Sequence, residues 1–191
     1  MKVGLYFGSF NPVHIGHLAI ANYIREFSDL QQIWFVVSPQ NPLKKKKSLL
    51  ADFHRLEMVN IAIGDSPFYR ASNIEFNLPK PSRTIDTLAY LYDKYPDYEF
   101  SLILGADNLV TFHKWKNYLE ILKFYKIYVY PRPEVSESQF DNHPSVIRIN
   151  APLIEISSSF IRESILQKKN MEFFVPRGVW NFIKEMHFYE K

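Results

Sequence analysis

The sequence predicts an α/β fold: a mainly parallel, doubly wound sheet with helices on both faces. Three observations predict it. Short apolar runs of strand length alternate with longer segments whose apolar residues recur at helical spacing. The 191 residues suit one domain, 1–191, and no linker or repeat divides them. A chain of this size buries about 70% of the surface its unfolded form exposes, so it needs no staples. Hydrophobic content of 47% with 23% charged residues is that of a globular domain and excludes disorder.

The elements follow in order. Val3–Phe7 is a continuous apolar run ended by Gly8-Ser9, which reads as a buried strand. His14–Phe27 reads as a helix, with Ile15, Leu18, Ala19, Ala21 and Ile24 at 3/4 spacing. Ile33–Val37 is the second strand. Leu49–Ile63 is a helix with Leu56, Val59 and Ile63 on one stripe. Phe68–Ala71 and Ile74–Phe76 read as short strands. Thr84–Tyr95 is a helix with Ser82 as its N-cap and Pro96 beyond its end. Phe100–Leu104 is a strand stopped by Gly105. Asn117–Phe124 is a short helix, and Ile127–Tyr130 and Val146–Ile149 are strands. Ser159–Gln167 and Val179–Met186 are helices in a helical C-terminal part, about residues 157–191. The segments 39–48 and 131–145 are the longest loops, and loops of that length are usually functional.

Composition excludes several functions. Lys+Arg 23 against Asp+Glu 20 gives +3, too mild for bulk binding to nucleic acid or membrane. The absence of cysteine excludes a disulfide scaffold, a Cys-based zinc site and a cysteine nucleophile. No stretch approaches the roughly 18 apolar residues of a membrane helix, and the N-terminal run is too short for a signal peptide. The expected location is the cytoplasm. Homo-oligomerisation is left open.

The first strand-to-helix loop reads Gly8-Ser9-Phe10-Asn11-Pro12-Val13-His14-Ile15-Gly16-His17. Ligands of open α/β sheets sit beyond the carboxyl ends of the strands, and helix N-termini there attract anions. Gly8 lets the backbone approach closely, and Ser9 offers a hydroxyl and an N–H. His14 and His17, three residues apart, share one side of the first turn. Gly16 removes a side chain where a large ligand would press. Imidazolium N–H groups at that position suit phosphate oxygens. A zinc reading lacks a third ligand nearby. The loop resembles the signature of the nucleotidyltransferase superfamily with the His-x-Gly-His motif, whose members join a nucleoside monophosphate unit from ATP or CTP to a phosphate-bearing acceptor. The resemblance implies a Rossmann-like fold, with His14 and His17 catalytic and Gly8, Ser9, Phe10 and Gly16 at ATP.

Ile156-Ser157-Ser158-Ser159-Phe160-Ile161-Arg162 opens a later helix. Serine hydroxyls, free N–H groups and Arg162 can hold phosphate oxygens together. The superfamily's second motif, Ile-Ser-Ser-Thr-x-Ile-Arg, is similar; Ser159 replaces its threonine and keeps the hydroxyl. The resemblance implies that Ser157, Ser158 and Arg162 hold the β- and γ-phosphates.

Four further segments resemble the bacterial nicotinate-nucleotide adenylyltransferases. Pro81-Ser82-Arg83-Thr84-Ile85-Asp86-Thr87-Leu88 is similar to Pro-Ser-Tyr-Thr-x-Asp/Glu-Thr-Leu. Leu104-Gly105-Ala106-Asp107-Asn108 with Phe112 and Trp115 is similar to Gly-x-Asp…Trp. Asn41-Pro42-Leu43-Lys44 stands where that family has Pro-Pro-His-Lys. Phe174-Val175-Pro176 with Val179 matches its Tyr-Val-Pro…Val ending. The resemblance implies that Trp115 stacks on the nicotinate ring and Thr84 takes its carboxylate. Lys44 would hold a substrate phosphate, and Gly105 and Asp107 would lie at the nucleotide. Arg83, where tyrosine is usual, is a cation beside an acidic substrate.

The implied reaction is transfer of AMP from ATP to nicotinate mononucleotide, giving deamido-NAD and pyrophosphate. The acceptor phosphate is already anionic, so it attacks the α-phosphorus without a protein base. Mg2+ enters with ATP, and no dedicated protein ligand set for it is expected. Two alternatives remain: another phosphate acceptor, such as phosphopantetheine or nicotinamide mononucleotide, or a non-catalytic nucleotide-binding module.

Overall fold

The apolar runs become strands buried on both faces, which is why they lack a polar side. In the computed structural model, which describes residues 1–39, 49–133, 135 and 137–191, six strands form one sheet: β1 (Lys2–Gly8), β2 (Gln32–Val37), β3 (Tyr69–Ser72), β4 (Glu99–Gly105), β5 (Ile127–Tyr130) and β6 (Val146–Arg148). Their order is β3-β2-β1-β4-β5-β6, and every neighbouring pair is parallel.

Alternate residues of each strand feed two cores. Tyr6, Ile33, Phe35, Val37, Ile103 and Tyr128 face one side. There they meet α1 (Ile15–Glu26), α2 (Asp52–Ile63), α6 (Ser158–Leu166) and α7 (Arg177–Glu185). Val3, Leu5, Trp34, Val36, Leu102 and Leu104 face the other. That side is covered by α3 (Thr84–Lys94), α4 (Ala106–Val110) and α5 (Tyr118–Phe124). The C-terminal helices therefore share a core with α1 and α2.

Four details differ from the sequence reading. Ile74–Asn77 is a 3-10 turn rather than a strand, because Glu75 is drawn inward to accept a hydrogen bond from Thr87 of α3. The residue capping α3 is Arg83, not Ser82, whose buried hydroxyl has no hydrogen-bond partner. The buried stripe of α2 is Arg55, Met58 and Val59, offset from the expected one. The short helix α4 was not foreseen as an element. Among the described residues no helix is long and apolar enough to cross a membrane.

Candidate active site

The strand order reverses direction between β1 and β4, so the connections leaving these strands run to opposite faces and open a crevice at their carboxyl ends. The loop after β1 carries Ser9, His14 and His17; the end of β4 carries Gly105 and Asp107. The segment after β5 adds Arg132. Three stretches far apart in sequence thus border one crevice.

His14 caps α1 with extended backbone, and its ring stacks on that of His17 with centroids 3.6 Å apart. The backbone N–H of His14 donates to His17 Nδ1 at 3.2 Å. With that nitrogen accepting, His17 donates from Nε2. Tyr6 and Phe10 set edges against the His17 ring at 6.1 and 5.1 Å, so its orientation is fixed by packing. His14 itself is buried, and burial together with the Arg132 charge lowers its pKa to about 3. It is neutral at pH 7, which corrects the expectation of an imidazolium at this position. A Cβ on Gly16 would lie 3.0 Å from both His14 Nδ1 and Ile154 Cγ2. Packing inside the loop thus already leaves little room for a side chain at that position. Phe10 is likewise a core ring, 1% exposed, held with φ of 45°.

The loop between β1 and α1 is anchored on all sides. Arg55 of α2 is fully buried and donates to the carbonyls of Ser9, Ser38, Pro39 and Leu50 and to the Asp52 carboxylate. Asn11 Oδ1 accepts from Leu50 N at 3.3 Å and from the Tyr189 hydroxyl at 2.9 Å. Ser158 Oγ donates to the Pro12 carbonyl at 2.9 Å, and Arg162 Nη1 to the Asn11 carbonyl at 2.8 Å. Ser157 Oγ accepts from Phe160 N and caps α6. The serine–arginine turn is thus brought against the histidine loop, as the two motifs together implied. Part of its hydrogen-bonding capacity goes to that loop.

Across the crevice, Gly105 closes β4 where a larger residue would have to displace neighbouring side chains. A Cβ there would lie 2.4 Å from Asp107 Oδ1 and 3.1 Å from Arg132 Nε. Arg132 lies over the Tyr130 ring, donates to its hydroxyl at 3.1 Å and approaches Asp107 at 3.5 Å. Burial opposes the Arg132 charge, but Tyr130, Tyr6 and Asp107 outweigh it and hold its pKa above the usual value.

An ion pair joins the two segments that carry Thr84 and Trp115. Thr84 opens α3, and Lys116, beside Trp115, forms an ion pair with Asp86 of the same turn at 3.1 Å. Trp115 is half-buried, its ring tilted against Phe112 at 5.1 Å. Arg83 is exposed. Buried Glu75, its pKa raised by burial, braces α3 through Thr87. Lys44, with the rest of 40–48, lies outside the described residues. Two cavities of about 200 and 250 Å³ flank α1 at Leu18, Asn22 and Tyr69 and at Tyr23, Ala151 and Ile154, and none of the expected site residues lines them.

Sequence reasoning missed Arg55 and Arg132. Arg55 shares a helical face with Met58, Val59 and Ala62, and a cation within an apolar stripe was the available signal. Arg132 lies two residues past a buried strand's carboxyl end, where ligands gather.

The pattern of the family described as cytidylyltransferase-like matches residues 5–164. Curated relatives include a protein of Flavobacterium psychrophilum, 56% identical over 100% of both chains, and one of Flavobacterium johnsoniae, 53% identical over 100% of both. Each bears the name "Probable nicotinate-nucleotide adenylyltransferase". Among solved structures, the Plasmodium falciparum nicotinic acid mononucleotide adenylyltransferase complexed with NaAD has the same fold. Its TM-score is 0.82 at 20% identity, covering 99% of this chain and 97% of that one.

Proposed function

The chain belongs to the cytidylyltransferase-like family, and on that premise we propose that it is a nucleotidyltransferase transferring AMP from ATP to nicotinate mononucleotide, with deamido-NAD and pyrophosphate as products. The observation that carries this reading is the meeting of the two motifs. Ser158 and Arg162 bond the very loop that presents His17, so a triphosphate can span from the α6 N-terminus to the first turn of α1. The full-length relatives of that name support the choice of acceptor.

In this reading residues 1–191 act as one domain. His17 donates from Nε2 to an α-phosphate oxygen, while neutral His14 orients it by stacking and through its backbone N–H. Ser9, Ser157, Ser158 and Arg162 hold the triphosphate, and Asp107 lies near the nucleoside. Thr84 and Trp115 take the acceptor, with Arg83 at its rim and Lys44 on a substrate phosphate. Catalysis is positioning and charge stabilisation, since the acceptor phosphate is already a nucleophile. Family enzymes use a divalent ion with the nucleotide, and here Mg2+ enters on the triphosphate. Among the described residues no group of three or more His, Cys, Asp or Glu is arranged to hold a metal. When bound, the ion adds charge neutralisation at the phosphates.

Pyrophosphate release from ATP, measured with nicotinate mononucleotide, nicotinamide mononucleotide and phosphopantetheine in parallel, tests the proposal. Turnover greatest with the nicotinate nucleotide is expected. Release only with phosphopantetheine would reassign the acceptor, and none with any acceptor would overturn the enzyme reading.

A further inference from the structure

Past α7 the chain turns back toward the loop between β1 and α1. The helix ends in a left-handed capping turn. His187 N–H donates to the Lys184 carbonyl at 3.2 Å and Phe188 N–H to the Ile183 carbonyl at 3.0 Å, with His187 at φ of 51°. Phe188 is buried, its ring against those of His54 and Phe182 at 4.7 and 5.6 Å. These contacts finish the helix. Tyr189 is also left-handed, with φ of 67°. That conformation costs a bulky residue energy, and ending the helix does not require it. With that backbone the phenol reaches the histidine loop, where its hydroxyl donates to Asn11 Oδ1 at 2.9 Å.

Asn11 is a junction, 3% exposed. Its side-chain oxygen also accepts from Leu50 N–H, and its backbone carbonyl accepts from Arg162 Nη1. The next carbonyl, that of Pro12, takes the Ser158 hydroxyl. Two residues further on, His14 N–H donates to His17 Nδ1. A shift of Asn11 is therefore passed to His17 along a few residues of backbone. Burial pushes the Tyr189 phenol up in pKa, against the opposing charges of Arg162 and Arg55, so the O–H donor is present at every working pH. Without it, a buried amide oxygen would lose one of its donors, and the loop would settle elsewhere to recover one.

We propose that Tyr189 is a positioning residue of the transfer site: through Asn11 it holds the loop between β1 and α1 where His17 meets the phosphate. It acts through Asn11 and not on the substrate. The inference rests on the adenylyltransferase reading above and adds to it a residue outside the two motifs.

The test uses the full chain as wild type, Tyr189→Phe, Asn11→Ala, the two together, and Ile183→Val. Tyr189→Phe removes one oxygen and keeps the ring. Ile183 is buried in α7, so its trimming lowers stability without touching the hydroxyl. Since about 1 Å of misplacement can cost about 100-fold, Tyr189→Phe should lower kcat for pyrophosphate release by about tenfold or more. KM for ATP and for nicotinate mononucleotide should stay near wild type, as expected when the lost contact serves the transition state. Ile183→Val should melt at least as early as Tyr189→Phe yet keep wild-type kcat, both assayed well below melting. In the Asn11→Ala background, Tyr189→Phe should cost nothing further. Amide exchange followed by mass spectrometry without nucleotide should quicken over residues 9–17 in Tyr189→Phe and stay unchanged over α3. A kcat for Tyr189→Phe near that of wild type would overturn the proposal. So would an equal loss in Ile183→Val, or losses that add in the double variant. Should Asn11→Ala fail to fold, as judged by circular dichroism, Tyr189→Phe against Ile183→Val decides. A wild type that releases no pyrophosphate with any acceptor would defeat the adenylyltransferase reading. Exchange over residues 9–17 would then judge the Tyr189 contact by itself, and unchanged exchange would count against it.

Discussion

Replacing Arg55 should unfasten the loop between β1 and α1 and destabilise the whole chain together. The side chain is fully buried and makes five hydrogen bonds: to Leu50 O at 3.0 Å, Ser9 O at 2.5 Å, Ser38 O at 2.9 Å, Pro39 O at 3.3 Å and Asp52 Oδ1 at 2.6 Å. Breaking a buried charge pair by deleting one partner costs about 3–5 kcal/mol. Asp52, with a side chain 30% exposed, can turn to solvent, which favours the lower half of that range. Losing the guanidinium also takes a donor from the four carbonyls gathered around it, which pulls the other way. Melting entropy scales with length, so for 191 residues a loss of this size lowers Tm by about 7–12 °C. Arg55→Lys keeps the charge but has three donors for five acceptors, so about half of that loss is expected. Turnover should fall too, because Ser9 and the start of the His17 loop lose their anchor, and about 1 Å of misplacement can cost about 100-fold. Calorimetric melting and steady-state kinetics of wild type, Arg55→Lys and Arg55→Ala check this. A Tm for Arg55→Ala within about 2 °C of wild type would refute the reasoning, given the scale of about 2–3 °C per kcal/mol.

On the proposed role of His17 as a phosphate donor, His17→Ala should cut turnover by about 10²–10³ with little change in Tm; near-normal turnover with early melting would make it a packing residue. Wild type should prefer nicotinate over nicotinamide mononucleotide by about tenfold or more, because a neutral amide leaves the donors at the α3 N-terminus mismatched. Trp115→Ala should weaken both acceptors alike and Thr84→Val mainly the acid, read as kcat/KM ratios; equal use of the two nucleotides by wild type would remove the acid assignment. The pKa of His14, about 3 in the fold against 6.5 ordinarily, means that the unfolded chain takes up a proton which the native state refuses. This stability is present above pH 6.5 and is lost as pH falls toward 3, at about 1.4 kcal/mol per pH unit. Urea midpoints at pH 7 and 4.5 should therefore converge in His14→Gln relative to wild type; an unchanged pH slope would show that another group carries the acid sensitivity.

The alternation of buried strands and amphipathic helices, the paired histidines and the serine–arginine turn were all legible in the sequence. Each is a local pattern: a strand buried on both faces must read as an unbroken apolar run, and a helix start must carry its donors within a few residues. The 3-10 turn at Ile74–Asn77 was not legible, because its inward Glu75 answers to Thr87, a partner on another element. Arg55 looked like an ordinary helix arginine until the fold gathered the carbonyls of Ser9, Ser38, Pro39 and Leu50 around it. The charge of His14 was misjudged for the same reason, since its neutrality comes from burial and from Arg132 on another strand's loop. Sequence determined which groups this chain possesses and the elements that carry them. Tertiary structure alone decided their charge state and who meets whom, because desolvation and Coulomb interaction depend on distances between segments that local sequence does not encode.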